Sequence, residues 1–359
     1  MELTHFRTLG RSGLRVSPVT LGTMTFGLDW QYGATPEVSK EILAGYLDRG
    51  GNMIDTANIY TRGHSEKIIG DYLKTSHVNR DWLVLATKFF GSMRPGDPNS
   101  GGTGRKAMIA SLEASLRRLQ TDYIDLYWMH AFDAHTPIEE TLYTLDKLVQ
   151  SGKVRYIGIS DTPAWKIAQA QTLAHFRGWP AFIGLQLEYS LLERSVEAEL
   201  IPMAGELQLG VMPWSPLKQG VLSGKYTRQN KGQTLSQRAT GEALSEKAYD
   251  LIDALQRFAA DLKVPVAAIA LAWVMGREGV TSIIIGARTT QQLQQNLQAM
   301  AVTLPPQAIA ELNALSTPES FFPYTLLANA RHIAQGGATI NGNPSVLPAI
   351  LPQHEGDHY

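Results

Sequence analysis

Four side chains of different chemistry stand where apolar runs stop: Asp55, Tyr60, Lys88 and His130. Asp55 closes Asn52-Met53-Ile54, and Tyr60 follows on the next loop. Lys88 closes Leu83-Val84-Leu85-Ala86-Thr87, and His130 closes Ile124–Met129. Each alone has a structural explanation: a helix cap, rim packing, a snorkelling lysine, a hydrogen-bonded rim histidine. Together they form one reagent. A phenol is a poor acid near neutrality, with a pKa of roughly 10. A neighbouring ammonium favours the phenolate and lowers that value, and a buried ammonium needs a carboxylate partner. Tyr60 then serves as proton donor. His130 hydrogen-bonds a carbonyl oxygen as negative charge grows there. A carbonyl protonated on oxygen must also receive an electron pair on carbon. None of the four supplies one, so a hydride-donating cofactor is implied.

Three run ends meet only if the runs are parallel strands of one sheet. The chain alternates runs apolar on both faces with amphipathic helical stretches, the pattern of a parallel sheet covered by helices. Strands are expected at Val19–Thr23, the run ending in Asp55, Trp82–Lys88, Ile124–Met129, Val154–Ile159, Phe182–Leu187, Val211–Trp214 and Thr281–Ile285. Helices are expected at Pro36–Arg49, Glu66–Leu73, Ala107–Leu119, Ile138–Val149, Trp165–Phe176, Val196–Leu207, Glu246–Leu262, Ala267–Met275 and Gln291–Met300. About eight strands close a (β/α)8 TIM barrel, in which all carboxyl ends face one centre. Phe6–Ser17 reads as an N-terminal β-hairpin around Gly10-Arg11-Ser12-Gly13. Residues 1–316 are expected to form the barrel and 317–359 a C-terminal tail that either wraps the barrel mouth or is partly loose. Two long loops stand out, the Gly- and Pro-rich Ser92–Arg105 and the polar Lys225–Thr240. A doubly wound open sheet would carry its glycine fingerprint in the first strand-to-helix turn, and Gly22–Gly27 lacks it. Gly102–Ala107 fits the loose G-x-G-x-x-A string but lies well beyond its strand. Gly220–Lys225 resembles a phosphate loop only superficially, with Tyr226 where the hydroxyl should be.

Composition narrows the class. The 359 residues are 44% hydrophobic and 18% charged, enough for a large core. A net charge of -1 and a pI near 6.8 give no basic surface for nucleic acid or anionic lipid. No cysteine is present, which excludes disulfides, thiolate zinc sites and thiol nucleophiles. Met1–Phe6 has neither a charged nor an apolar leader region, and no apolar run is long enough to cross a bilayer, so a cytoplasmic protein is expected. One histidine and one carboxylate among the strand ends are too few for a metal-dependent barrel hydrolase, so no metal is expected.

The motifs resemble the aldo-keto reductase superfamily from about Phe6 to Ala301. They are Leu9–Ser17, Leu21–Gly27, Asp55-Thr56-Ala57-Asn58-Ile59-Tyr60, Ala86-Thr87-Lys88, Asp125–His130, Gly158-Ile159-Ser160, Trp214–Leu217 and Ile285–Arg288. The resemblance implies an NADPH-dependent, reversible reductase of aldehydes or ketones, with Asp55, Tyr60, Lys88 and His130 as its tetrad. It implies cofactor contacts at Gly22, Thr23, Met24 and Asp55, and a carboxamide site at Ser160, Asp161 and Gln186. Asp161 departs from the Asn or Arg usual in the family. Trp214 falls where a ring stacks on the nicotinamide. Ser215, Pro216, Leu217 and Lys225 resemble the pyrophosphate loop, and Gly286, Arg288, Gln292 and Asn296 the adenosine end. Arg288, at a strand-to-helix junction, is suited to clamp a 2′-phosphate, favouring NADP(H) over NAD(H). For the substrate, Tyr60 and His130 are joined by an apolar cup of Phe26, Trp30, Phe89, Phe90 and Trp128, with Ser92–Arg105 and the tail setting specificity. The alternative is an NADPH-binding regulatory subunit with little turnover, like the channel-associated β proteins of the superfamily; those depart from the tetrad at the histidine, which is present here. The expected partner is a small-molecule carbonyl substrate. Nothing in the sequence speaks to oligomeric state.

Overall fold

Residues Arg7–Thr8 (β1) and Arg15–Val16 (β2) pair antiparallel around the expected glycine turn. Gly10 adopts φ +55°, and a Cβ there would lie 2.2 Å from the Ile183 carbonyl oxygen, so the turn requires glycine. The hairpin delivers Leu9 and Val16 into one end of the barrel, where both are buried. A computed structural model of the chain describes residues 1–233, 244–354, 356 and 357. Residues 234–240 of the expected loop Lys225–Thr240 therefore lie outside the described residues.

Eight parallel strands follow: β3 (Val19–Gly22), β4 (Met53–Asp55), β5 (Val84–Phe89), β6 (Ile124–Met129), β7 (Val154–Ser160), β8 (Gly184–Glu188), β9 (Gly210–Trp214) and β10 (Ile283–Gly286). Neighbours in sequence are neighbours in the sheet, and β10 returns to pair with β3. Closure between β9 and β10 rests on two bonds just before β10. Val211 N donates to Gly279 O (3.1 Å), and Thr281 N donates to Val211 O (2.8 Å). The fold is the expected (β/α)8 TIM barrel.

Side chains alternate across each strand. One set points into the barrel: Met53, Val84, Ala86, Leu126, Trp128, Met212 and Ile284 form a cluster with Leu9 and Val16. The other set packs outward on the helices. These are α1 (Pro36–Leu47), α2 (His64–Thr75), α3 (Arg105–Leu119), α4 (Ile138–Gln150), α5 (Ala164–Arg177), α6 (Leu200–Glu206), α7 (Glu246–Leu262), α8 (Val266–Met275), α9 (Thr290–Leu297) and α10 (Pro306–Ser316). Their starts follow capping chemistry. Thr35, Ser245 and Thr289 accept from the amides of Val38, Ala248 and Gln292 to begin α1, α7 and α9. The helix expected over Val196–Leu207 is broken into a 3-10 turn, Ser195–Glu197, and α6. Pro202 has no amide hydrogen and fits only a first turn, which sets the start of α6. Helix α10 has no counterpart among the expected elements. Among the described residues, no single helix is long and apolar enough to cross a membrane.

The chain divides into two compact units, Met1–Ser316 and Thr317–Tyr359. The second contains α11 (Tyr324–Gln335), with no buried residue, and a small antiparallel pair, β11 (Thr339–Ile340) and β12 (Asn343–Pro344).

Trp128 is the bulkiest inward side chain and is wholly buried. Its ring fits because Gly158 and Gly184 have no side chains. A Cβ at Gly158 would lie 2.3 Å from the indole, and one at Gly184 2.9 Å. Gly158→Ala should therefore lower unfolding stability by about 1–3 kcal/mol through overpacking. Urea unfolding should show this as a lower midpoint with an unchanged slope.

Candidate active site

Strand alternation determines which residues reach the barrel mouth. On β5, Val84, Ala86 and Lys88 face inward; on β6, Leu126, Trp128 and then His130 do. On β4 the inward pair is Met53 and Asp55, and on β8 Gly184 and Gln186. The sequence-expected tetrad thus converges from three strand ends and one loop. Asp55 and Lys88 are fully enclosed, whereas Tyr60 and His130 are half-buried.

Lys88 is the centre of the cluster. An ammonium has three donors, and Lys88 Nζ uses them on the Asp55 carboxylate, Thr56 O (2.8 Å) and Tyr60 Oη (3.2 Å). Burial alone would lower its pKa; Asp55 and the Tyr60 oxygen outweigh that and hold it above the ordinary lysine value. Asp55 also accepts from Gln186 Nε2 at 3.1 Å. The Trp128 indole N–H favours the charged carboxylate without closing a hydrogen bond to it. Tyr60 differs from expectation. Its pKa lies above that of an ordinary phenol, because burial and then Asp55 outweigh the downward pull of Lys88. The phenol therefore stays protonated at neutral pH, the form a proton donor needs, while Lys88 stands ready to receive the phenolate. Burial, with Lys88 nearby, pushes His130 down to about 3, so its imidazole is neutral. The Tyr60 and His130 rings meet edge to face at 5.8 Å.

Strain is concentrated around this mouth. Thr61 (φ 46°), Arg62 (φ 59°), Phe90 (φ 126°), Asp161 (φ 43°) and Ser215 (φ 50°) all follow strand ends in a backbone region that L-residues rarely adopt.

The residues expected to hold a cofactor line the remaining strand ends. Ser160 ends β7 and is buried; its hydroxyl lies beside Asp161 but closes no hydrogen bond. Asp161 Oδ1 accepts from Trp214 Nε1 at 3.0 Å. Ser215 Oγ accepts from Gln219 N (2.9 Å), and Leu217 O accepts from Gly220 N (3.0 Å), folding the loop that contains Pro216. Lys225 Nζ would lie 3.4 Å from a Cβ at Gly220, so Lys225 arches back over this loop. Gly22 of β3 pairs with Gly286 of β10, whose mouth-facing side is open: a Cβ there meets nothing within 4 Å. Gln292 Oε1 accepts from Arg288 N (2.8 Å), and Asn296 Nδ2 donates to Gly286 O (3.2 Å). Arg288 is exposed and forms no ion pair among the described residues. Thr23 is already engaged: its hydroxyl donates to Asp55 O (3.0 Å) and accepts from Ser65 Oγ (2.9 Å). Next to it, Met24 is half-buried.

The expected apolar cup is smaller than the sequence suggested. Trp30 stands against Tyr60 at 6.3 Å and Tyr32 at 6.1 Å, forming an aromatic wall beside the phenol. Phe90 is half-buried at the end of β5. Phe26, Phe89 and Trp128 are fully buried and unavailable to a ligand. Phe89 follows the inward Lys88, so it must point outward, where it packs on Tyr127 at 4.8 Å. Trp128 lies two residues before His130 on the same face and forms the floor beneath the site.

Three contributors were missed from sequence: the Thr56 carbonyl, Tyr32, and Asp161 as partner of Trp214 rather than as a cofactor ligand alone. A backbone carbonyl has no residue-type signal, and contacts between distant strand ends have no spacing signal. The Gly102–Ala107 string is occupied by protein: Thr103 N donates to Asp133 Oδ2 at 2.9 Å, and Gly104 precedes α3 as its cap.

The sequence model described as "Aldo/keto reductase family" matches residues 18–317. The uncharacterized oxidoreductase YrpG of Bacillus subtilis is 38% identical, covering 89% of this chain and 99% of its own length. An aryl-alcohol dehydrogenase of Pestalotiopsis microspora is 35% identical over 88% of this chain and 83% of its own length. A norsolorinic acid reductase of Emericella nidulans is 38% identical over 88% and 82%.

Removing the ammonium should expose how much the cluster depends on it. Lys88→Met leaves the Asp55 carboxyl enclosed without its cation, which should cost about 3–5 kcal/mol of stability in denaturant unfolding. Adding Asp55→Asn to that variant should recover much of the loss, because the enclosed ionisable carboxyl is gone.

Proposed function

The chain belongs to the aldo/keto reductase family, and on that premise we propose that it reduces an aromatic aldehyde or ketone to its alcohol, reversibly, with hydride from NADPH and a proton from Tyr60. The observation that carries this reading is the saturated Lys88 ammonium holding the half-buried Tyr60 phenol beside a neutral His130. A neutral imidazole donates a hydrogen bond to a carbonyl oxygen without competing as a proton source. As the oxygen gains charge, the Tyr60 proton moves to it, and the phenolate left behind lies within 3.2 Å of the Lys88 ammonium. Lys88 therefore stabilises the product side of the proton transfer, where charge develops.

The residues fit a nicotinamide dinucleotide. The partnerless Ser160 hydroxyl offers a hydrogen bond to a carboxamide, and Gln186 connects that position to Asp55. Trp214 offers a ring face, the Ser215–Lys225 loop and its lysine suit a pyrophosphate, and the open Gly286 with exposed Arg288 suits an adenosine 2′-phosphate. When bound, the reduced nicotinamide supplies the hydride with its electron pair. An aromatic substrate is favoured by the Trp30–Tyr32 wall beside Tyr60. The aryl-alcohol dehydrogenase among the relatives supports the same class.

Tyr60→Phe should keep NADPH affinity within about twofold but lower kcat for benzaldehyde-type substrates by about 10²–10⁴-fold. Single-turnover NADPH oxidation measures this, and unchanged turnover would remove Tyr60 as the acid. Wild-type protein that binds NADPH yet oxidises it with no aldehyde or ketone would favour a binding role instead. Arg288→Ala should raise the KM for NADPH by about tenfold or more while leaving that for NADH nearly unchanged, as loss of a charged hydrogen-bond pair predicts. Equal changes for both would argue against a phosphate clamp.

A further inference from the structure

Of the carboxylates at the mouth, Asp161 is used neither by the proton-transfer chemistry nor by an ion pair among the described residues. Asp55 is paired with Lys88, and Glu188 is paired with Lys218 at 3.0 Å, which also reaches Glu193 at 3.5 Å. Asp161, exposed at the mouth, forms no ion pair among the described residues. Its one side-chain hydrogen bond to a neighbouring ring is from Trp214 Nε1, at 3.0 Å. Its backbone is fixed as well, with Asp161 N donating to Gln186 O at 3.2 Å and φ held at 43°. The strain at the same residue points to a site maintained for function rather than for packing.

We infer that Asp161 is a positioning residue with a charge role: it fixes the Trp214 ring and biases the site toward the oxidised, positively charged nicotinamide. The inference rests on the cofactor reading above. In the forward reaction the C4–H bond of the reduced ring breaks, and its electron pair forms the new C–H bond at the carbonyl carbon. The carbonyl oxygen takes the Tyr60 proton. A nicotinamide held by Ser160 and Trp214 would be left with one positive charge beside the Asp161 carboxylate. A carboxylate there attracts the charged ring and not the neutral one, which makes hydride donation more favourable on the protein than in water. An anionic acceptor on the indole N–H also enriches the π face that a cationic ring stacks on.

Asparagine is the informative replacement. It keeps the shape, accepts the Trp214 N–H through Oδ1, and tolerates left-handed backbone. Calorimetric titration of wild-type protein and Asp161→Asn with NADPH and with NADP+ gives four dissociation constants. The expected result is NADPH affinity within about twofold and NADP+ affinity weakened by about tenfold, as one partly screened charge implies. Asp161→Ala should in addition shift the Trp214 contribution to the fluorescence of the nucleotide-free protein, identified by subtracting a Trp214→Phe variant; Asp161→Asn should leave it near wild type. Trp214→Phe should weaken both nucleotides while keeping the preference for NADP+. An unchanged NADP+/NADPH ratio in Asp161→Asn overturns the charge role. An unshifted fluorescence in Asp161→Ala overturns the positioning role. Wild-type protein that binds neither nucleotide overturns the cofactor reading itself, a distinguishable failure.

Discussion

The site depends on one enclosed ion pair, Lys88 with Asp55. Taking each ion out of water costs several kcal/mol, and the attraction between two charges at about 4 Å returns a similar amount in a partly screened interior. The pair alone roughly cancels. What tips the balance is saturation: the Thr56 carbonyl and the Tyr60 phenol take the other two ammonium donors, and Gln186 takes a lone pair of Asp55. The phenol therefore has a structural part in the cluster besides the one proposed for it in proton transfer. It completes the coordination of the lysine, and the same contact lowers the cost of losing its proton.

Such a cluster needs a rigid floor. Trp128 supplies it, filling the barrel interior beneath Asp55 and His130 in space left by Gly158 and Gly184. The indole packs closely against those two glycines and fills the barrel interior there. The polar groups consequently face the mouth, where the aromatic wall of Trp30 and Tyr32 stands. The loops around that wall are tied down by local carboxylates. Asp133 takes the amides of Thr103 and His135 and the hydroxyl of Thr136.

Two sides of the mouth carry different electrostatics. On the Tyr60 side the two enclosed charges, Lys88 and Asp55, match each other and His130 is neutral. On the Trp214 side Asp161 is unmatched by any ion pair among the described residues, while the neighbouring Glu188 is neutralised by Lys218. The proposed proton transfer thus belongs to the side with the matched pair, and the proposed nicotinamide position to the side that carries Asp161.

Much of this was legible in the chain itself. Runs apolar on both faces, alternating with capped amphipathic helices, indicate a parallel sheet covered by helices, and about eight such strands without a glycine fingerprint in the first strand-to-helix turn favour closure into a barrel. The polar residue ending each run marks the mouth, and barrel geometry makes Asp55, Lys88 and His130 converge without any motif linking them. Other features were decided only in three dimensions. Phe26, Phe89 and Trp128 look like pocket residues by type, but a one-residue step along a strand reverses the face, and register alone sends Phe89 outward and Trp128 below the site. The phenol's upward shift follows from enclosure, a property of all surrounding elements together that no single spacing encodes. The Thr56 carbonyl belongs to every residue type alike, and Asp161 meets Trp214 across strands separated by a long stretch of chain. Sequence determines which chemical groups arrive at the mouth; packing decides which of them are exposed, which are charged and which touch.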